Sequence, residues 1–175
     1  MHNKNYIDIT KKWLGEKSTN NSIKIYDIGD TFTFRCNKYK LDGKLVKYSL
    51  NNNEYEFAKW LSNKTNKKIH LVPKINIPEN IQTPDYKIGN EYWDLKTLSA
   101  NNNSNQPIFH IIQNKNKQAC NFIVDASLSK HSINDLLKEI DNIIRDNKLT
   151  WINKIAVKKD NDFCVIKKIK QWHPA

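Results

Sequence analysis

The 175-residue chain has little of what punctuates or cross-links a fold: four Gly, five Pro, one Met and three Cys. The cysteine count is odd, no CxxC occurs, and Cys36, Cys120 and Cys164 each stand within two residues of an apolar side chain. These features argue against a disulfide framework. They predict three buried free thiols and, weakly, a reducing site of action. The five His have no zinc-ligand spacing with these cysteines, which argues against a structural zinc. No apolar run approaches the roughly 18 residues that a membrane helix needs, so no span is expected. The opening MHNKNYIDIT has no apolar stretch behind its basic residue, so the chain as given reads without a cleaved secretory signal. Acidic residues are also short: 18 Asp and Glu face 29 Lys and Arg, a formal net charge of +11.

Enough apolar mass is nonetheless present for a core. Hydrophobic residues make up 38%, with five Trp, six Phe and seven Tyr, which excludes a fully disordered chain despite a mean hydropathy of −0.75. The length suits one domain, or one domain with a small accessory module. A pI near 9.5 points to a polyanionic partner, most often nucleic acid. The excess charge is uneven. Residues 1–50 carry net +5, residues 51–110 net +1 and residues 111–175 net +5, because the middle third holds a cluster of carboxylates.

The Asn51-Asn52-Asn53 and Asn101-Asn102-Asn103 runs read as connectors. We place a boundary near residue 50, giving a β-rich accessory region over 1–50 and a main domain over 51–175. In the first region, 23–26 and 31–36 alternate as strands do, with a turn at Ile28-Gly29-Asp30. Leu41-Asp42-Gly43-Lys44 is a second hairpin signal before Leu45–Tyr48. Ile9–Leu14 reads as one or two helical turns. In the main region, Phe57, Trp60 and Leu61 recur at helix spacing, and 68–72 reads as a strand. Residues 73–83 read as a loop, and 84–88 and 91–98 as strands about Gly89-Asn90. Pro107 opens a helix to about Lys117. Residues 121–125 form a strand buried on both faces. Ser132 caps a helix whose apolar stripe is Ile133, Leu136, Leu137, Ile140, Ile143 and Ile144. Two strands, about 151–157 and 163–169, close the chain. The sum is a mixed α/β fold around a central sheet.

The stretch from Thr83 to Lys96 carries the chemistry. A two-residue loop at Gly89-Asn90 pairs Ile88 with Glu91, Lys87 with Tyr92, Tyr86 with Trp93 and Asp85 with Asp94. One strand face then holds Asp85, Asp94 and Lys96, and the other Tyr86, Ile88, Trp93 and Leu95, a core face. Opposed carboxylates cost a sheet up to about 1 kcal/mol, so a fold that keeps them gains something there. A divalent cation turns that repulsion into attraction, and a lysine two residues on can hold an attacking water or stabilise charge on phosphorus. This is the equipment that phosphodiester hydrolysis requires. A surface hairpin with an Asp–Lys pair is the plain alternative.

Pro84-Asp85 followed by Asp94-Leu95-Lys96 resembles the PD-(D/E)XK nuclease signature. Taken in order, Glu56-Phe57-Ala58, Pro84-Asp85-Tyr86, Trp93-Asp94-Leu95-Lys96 and the stretch 118–125 are similar to the C-terminal nuclease domain of CdiA-type contact-dependent growth inhibition toxins. Similar domains end some phage head-associated proteins. The resemblance covers roughly residues 50–127. It implies a restriction-endonuclease-like core, with a mixed sheet flanked by helices, and a metal-dependent phosphodiesterase whose characterised relatives cut tRNA. By position, it implies Asp85, Asp94 and Glu56 as ligands of Mg²⁺ or Mn²⁺ and Lys96 as the catalytic lysine. The Leu95 carbonyl is a further candidate ligand and Glu54 the fallback for Glu56. Gln118 either reaches the site or caps its helix.

For substrate, Lys115 and Lys117 are the candidates on the helix after the motif, followed by Lys158, Lys159, Lys167, Lys168 and Lys170. Trp13 and Trp172 are candidates for base stacking, and each reads more readily as a packing residue. The expectation is an RNA endonuclease of toxin type, with tRNA favoured. It would act in the cytoplasm, either delivered as part of a larger toxin or phage-associated, and an acidic immunity protein would oppose the toxin. The alternatives are a DNA endonuclease on the same fold, or a non-catalytic nucleic-acid-binding or phage structural domain.

Overall fold

The computed structural model describes residues 6–15, 22–48, 51–145 and 149–169. The elements are mixed α/β. The chain forms two compact units, with boundaries after Gly15 and after Trp93. One contains the N-terminal segment through Gly15 and the chain from Asp94 onward; the other is the stretch between.

In the discontinuous unit, β1 (Tyr6–Asp8) pairs antiparallel with β12 (Asp162–Lys168), which pairs antiparallel with β11 (Lys154–Lys159). β11 runs parallel to β10 (Asn121–Asp125), and β10 parallel to residues 94–97 of β9 (Glu91–Thr97). Phe122, Ile123 and Val124 are fully buried, as a strand covered on both faces requires. α3 (Pro107–Ile112) and α4 (Ile133–Arg145) supply the core on one face: Ile108, Ile112, Leu136, Ile140, Ile143 and Ile144 meet Phe122, Val124, Ile155 and Val157. Each such side chain contributes about 2 kcal/mol of burial. α4 begins where the sequence predicts. Ser132 Oγ accepts from the Asp135 N–H at 3.2 Å and donates to the Asp135 carboxylate at 2.6 Å. α1 (Thr10–Gly15) buries Trp13, whose ring lies 6.0 Å from that of Phe163, so Trp13 is a packing residue.

In the other unit, β2 (Ile23–Lys24) is parallel to β6 (Ile69–Leu71), β6 is antiparallel to β8 (Tyr86–Ile88), and β8 is antiparallel to residues 91–93 of β9. α2 (Asn52–Thr65) is longer than its apolar spacing indicates. The Asn51 carbonyl oxygen of the side chain caps the Asn53 N–H at 3.0 Å, and Asn66 ends the helix in the left-handed conformation at φ 56°. The first Asn run is therefore a helix start as much as a connector. A second core gathers Phe32, Phe34, Leu41, Val46, Val72 and Ile75.

The accessory region differs from its expected pairing. Its hairpin joins β3 (Thr31–Phe34) to β4 (Asn37–Lys40) across Arg35-Cys36, both at positive φ (49° and 65°). The Asp42-Gly43 turn does not join paired neighbours. It leads to β5 (Val46–Lys47), which pairs with β7 (Lys74–Ile75) inside the stretch expected to be loop. The thiols are also a correction: all three are free, but Cys36 and Cys120 are exposed and Cys164 half-buried. Cys36 stands at a hairpin tip and Cys120 just before a strand, where apolar neighbours in sequence are not neighbours in space.

Candidate active site

The candidate residues flank the β8–β9 turn in sequence. Gly89 sits at φ +58°, a conformation that a side chain resists. The observed register is Ile88–Glu91, Lys87–Tyr92 and Tyr86–Trp93, as the two-residue loop predicts. Tyr86, Ile88 and Trp93 are buried, and Leu95 is half-buried. Past the last pair, the Asp85 N–H donates to the Trp93 carbonyl at 3.1 Å, and the Val72 N–H donates to the Asp85 carbonyl at 2.9 Å. Two strands thus fix the Asp85 backbone.

The Asp85 side chain is 8% exposed, and its Oδ1 accepts a hydrogen bond from Lys74 Nζ at 2.8 Å. Burying a charge this deeply is costly unless it is paired, and Lys74 supplies the pair. Lys74 lies in β7, and nothing local in the sequence announces it, because its approach depends on the Leu71–Tyr86 pairing continuing through Val72 and Asp85.

Asp94 and Lys96 lie opposite Phe122 and Val124 of β10 and share a strand face, as alternation predicts. Asp94 is completely buried and forms an ion pair with the Lys96 ammonium, whose side chain is 20% exposed. The arrangement sets a fixed anion beneath a cation that retains access to solvent.

Glu56 lies on α2 beside the buried Phe57 and Ala58, but its own side chain is 65% exposed and pairs with Lys59 at 2.8 Å. Glu54 accepts from Asn51 Nδ2 at 3.2 Å, and its main-chain carbonyl accepts from the Tyr86 hydroxyl at 2.7 Å. Among the described residues, no group of three or more His, Cys, Asp or Glu side chains is placed to hold a metal ion.

Lys115, Lys117 and Gln118 are not on a helix, which corrects the expected extent of α3. That helix ends at Ile112. The Lys115 N–H then donates to the Ile112 carbonyl and the Gln118 N–H to the Lys115 carbonyl, each at 2.9 Å. Asn114 and Asn116 favour such three-residue turns over further helix. Lys158 and Lys159 are internal cross-links. Lys158 Nζ is held by Ser127 Oγ and, at 3.3 Å, by Asp125; Lys159 Nζ donates to the Ser129 carbonyl at 2.8 Å. Lys167 is exposed and Lys168 half-buried. Lys170 and Trp172 lie outside the described residues.

Glu139 carries no motif and sits within the apolar stripe of α4. It is 6% exposed and accepts the Phe109 N–H at 2.8 Å, closing the open first turn of α3. Burial pushes its carboxyl up from 4.5 to about 7, against the pull of the Phe109 and Ile108 N–H groups. It borders a cavity of about 420 Å³ with Asn105, Gln106, His131 and Asp135.

Comparison with known proteins bears on this geometry. No curated protein matches the chain. Among solved structures, a CdiA-CT/CdiI toxin and immunity complex from Burkholderia pseudomallei is similar in fold. It is 20% identical with a TM-score of 0.53, covering 83% of this chain and 98% of that one. Residues 82–163, which include Asp85, Asp94 and Lys96 but neither Lys74 nor Glu56, match the family model described as the contact-dependent growth inhibition CdiA C-terminal domain. The family match spans just under half of the chain, and the structural similarity is one of fold.

Proposed function

We propose that the chain is a metal-dependent endonuclease of PD-(D/E)XK type that hydrolyses phosphodiester bonds of RNA, with tRNA the favoured substrate. One observation carries the reading: Asp85 and Asp94 are both buried carboxylates, and each is neutralised by a lysine that reaches solvent. Burying two anions is costly, and a purely structural hairpin has no use for them.

The donor chemistry fits a hard cation, because the buried groups are carboxylate oxygens. Asp85 and Asp94 would hold Mg²⁺ or Mn²⁺, and Glu56 would join them only by leaving Lys59. When bound, such an ion neutralises phosphate charge and lowers the pKa of water. The remaining work falls to the chain. Lys96 Nζ, anchored by Asp94, holds the attacking water or the charge that develops on the phosphate oxygens. Lys115, Lys117 and Gln118 are proposed contacts to the nucleic-acid backbone, presented by a turn. The net charge of +11 draws a polyanion toward the protein from a distance.

On this reading the chain acts in the cytoplasm of a target cell, delivered as part of a larger protein. An acidic immunity protein is the partner that a chain of this charge would bind. The test is incubation with total tRNA and with duplex DNA, each with Mg²⁺, Mn²⁺ or EDTA. Cleavage of tRNA that EDTA abolishes is expected. Cleavage of DNA alone reassigns the substrate, and a gel shift without cleavage reassigns the chain as a binding or phage structural module.

A further inference from the structure

Lys74 stands outside the segment that the family model matches, and outside the D-x-K motif, yet it makes the closest contact described for the Asp85 carboxylate. Its position is built. The β6–β8 ladder runs through Leu71–Tyr86 and is continued by the Val72 N–H bond to the Asp85 carbonyl. Two residues later the chain enters β7, which the Val46–Ile75 and Lys47–Lys74 pairs hold against β5. The ammonium is therefore delivered to Asp85 by two strand pairings.

The exposures of the two partners are unequal. The Asp85 side chain is 8% exposed and that of Lys74 is 31% exposed. The carboxylate is nearly closed to water, whereas the ammonium reaches it along a four-carbon stem. An ammonium and a divalent cation on one carboxylate repel each other strongly in so dry a setting. The member that can leave is the lysine.

We propose that Lys74 is a built-in competitor for the cation position at Asp85. It pairs with the buried carboxylate and holds it in place while no metal is bound, and it gives way to the divalent ion. This inference rests on the metal reading of Asp85 given above. It makes Lys74 a positioning residue whose removal weakens the metal-free protein yet tightens metal binding, whereas a merely structural ion pair would not tighten it.

The test is titration of the whole chain with Mn²⁺ alone, following free Mn²⁺ by electron paramagnetic resonance, for wild type, Lys74→Met and Lys74→Arg. Lys74→Met keeps the apolar stem and removes the charge. It is expected to lower the melting temperature without metal, to bind Mn²⁺ about tenfold more tightly and to gain more melting temperature from Mn²⁺ than wild type does. Lys74→Arg should behave as wild type. Equal or weaker Mn²⁺ binding by Lys74→Met overturns the inference and leaves the metal reading intact. If neither wild type nor Lys74→Met binds Mn²⁺, the metal reading itself fails, and the inference with it. Should Lys74→Met not fold, the side-chain ammonium spectrum of ¹⁵N-labelled wild type decides. The Lys74 signal, assigned through Lys74→Arg, should shift on adding Mg²⁺, and an unmoved signal at saturating Mg²⁺ overturns the proposal.

Discussion

Replacing Glu139 with Gln should make the protein more stable in mild alkali and flatten its response to pH. The buried carboxyl titrates near 7 instead of 4.5, so the folded state holds this proton more tightly than the unfolded chain does. The stability it provides is fully present below about pH 4.5, is lost as pH rises through about 7, and changes no further above that. A shift from 4.5 to about 7, at ~1.4 kcal/mol per unit, amounts to about 3 kcal/mol of destabilisation in wild type above neutrality. Gln retains an acceptor for the Phe109 N–H and carries no charge. Its amide N–H₂ meets the same surroundings as the acid proton of neutral Glu139, so the two should be nearly equal in stability near pH 4.5. The lowered carboxyls of Asp42 and Asp135 act in the opposite direction, but they are common to both proteins and cancel in the difference. Urea unfolding of both proteins from about pH 5 to about pH 8 should show Glu139→Gln gaining about 2–3 kcal/mol relative to wild type across that range. Parallel stability curves with a constant offset would refute the reasoning and show that Glu139 is not a buried, late-titrating acid.

Other outcomes follow from single features of the structure. Ellman's reagent should titrate Cys36 and Cys120 promptly in the native protein and Cys164 more slowly, because burial raises that thiol; three equal rates would contradict the burial pattern. Ser132→Ala removes the cap of α4 and should cost about 1 kcal/mol in urea unfolding, and an unchanged midpoint would argue that the Asp135 bonds hold nothing. Gly89→Ala meets no steric obstacle but forces a positive φ on a residue with a side chain. A loss of about 1 kcal/mol is expected, and a gain would mean that the β8–β9 turn is of a different type.

The hairpin register was legible in the sequence because Gly89-Asn90 pins it locally, and α4 was legible because Ser132 and a long apolar stripe agree. Both features are written within a few residues. What escaped was non-local or left-handed. β1 is a three-residue strand whose partner, β12, lies at the opposite end of the sequence. The β3–β4 turn uses Arg35 and Cys36 at positive φ, where Gly or Asn would have signalled it, so the true glycine turns at Gly29 and Gly43 drew attention away. Lys115, Lys117 and Gln118 were assigned to a helix by extending its period past Asn114, whose turn preference prevailed. At the site, Asp85, Asp94 and Lys96 could be found by motif and alternation. Lys74 could not, because the β6–β8 ladder and the β5–β7 pairing together bring it to Asp85. Glu139 was in view throughout, as the one acid on a buried stripe.

The central claim is that buried Asp94 serves chemistry rather than folding. The most direct measurement compares tRNA cleavage by wild type and Asp94→Asn in Mn²⁺, with circular dichroism and melting temperature recorded on the same samples. The account predicts a folded Asp94→Asn protein whose cleavage falls by at least about a hundredfold, the scale expected when an essential catalytic group is removed. A folded variant that cleaves at the wild-type rate would contradict it.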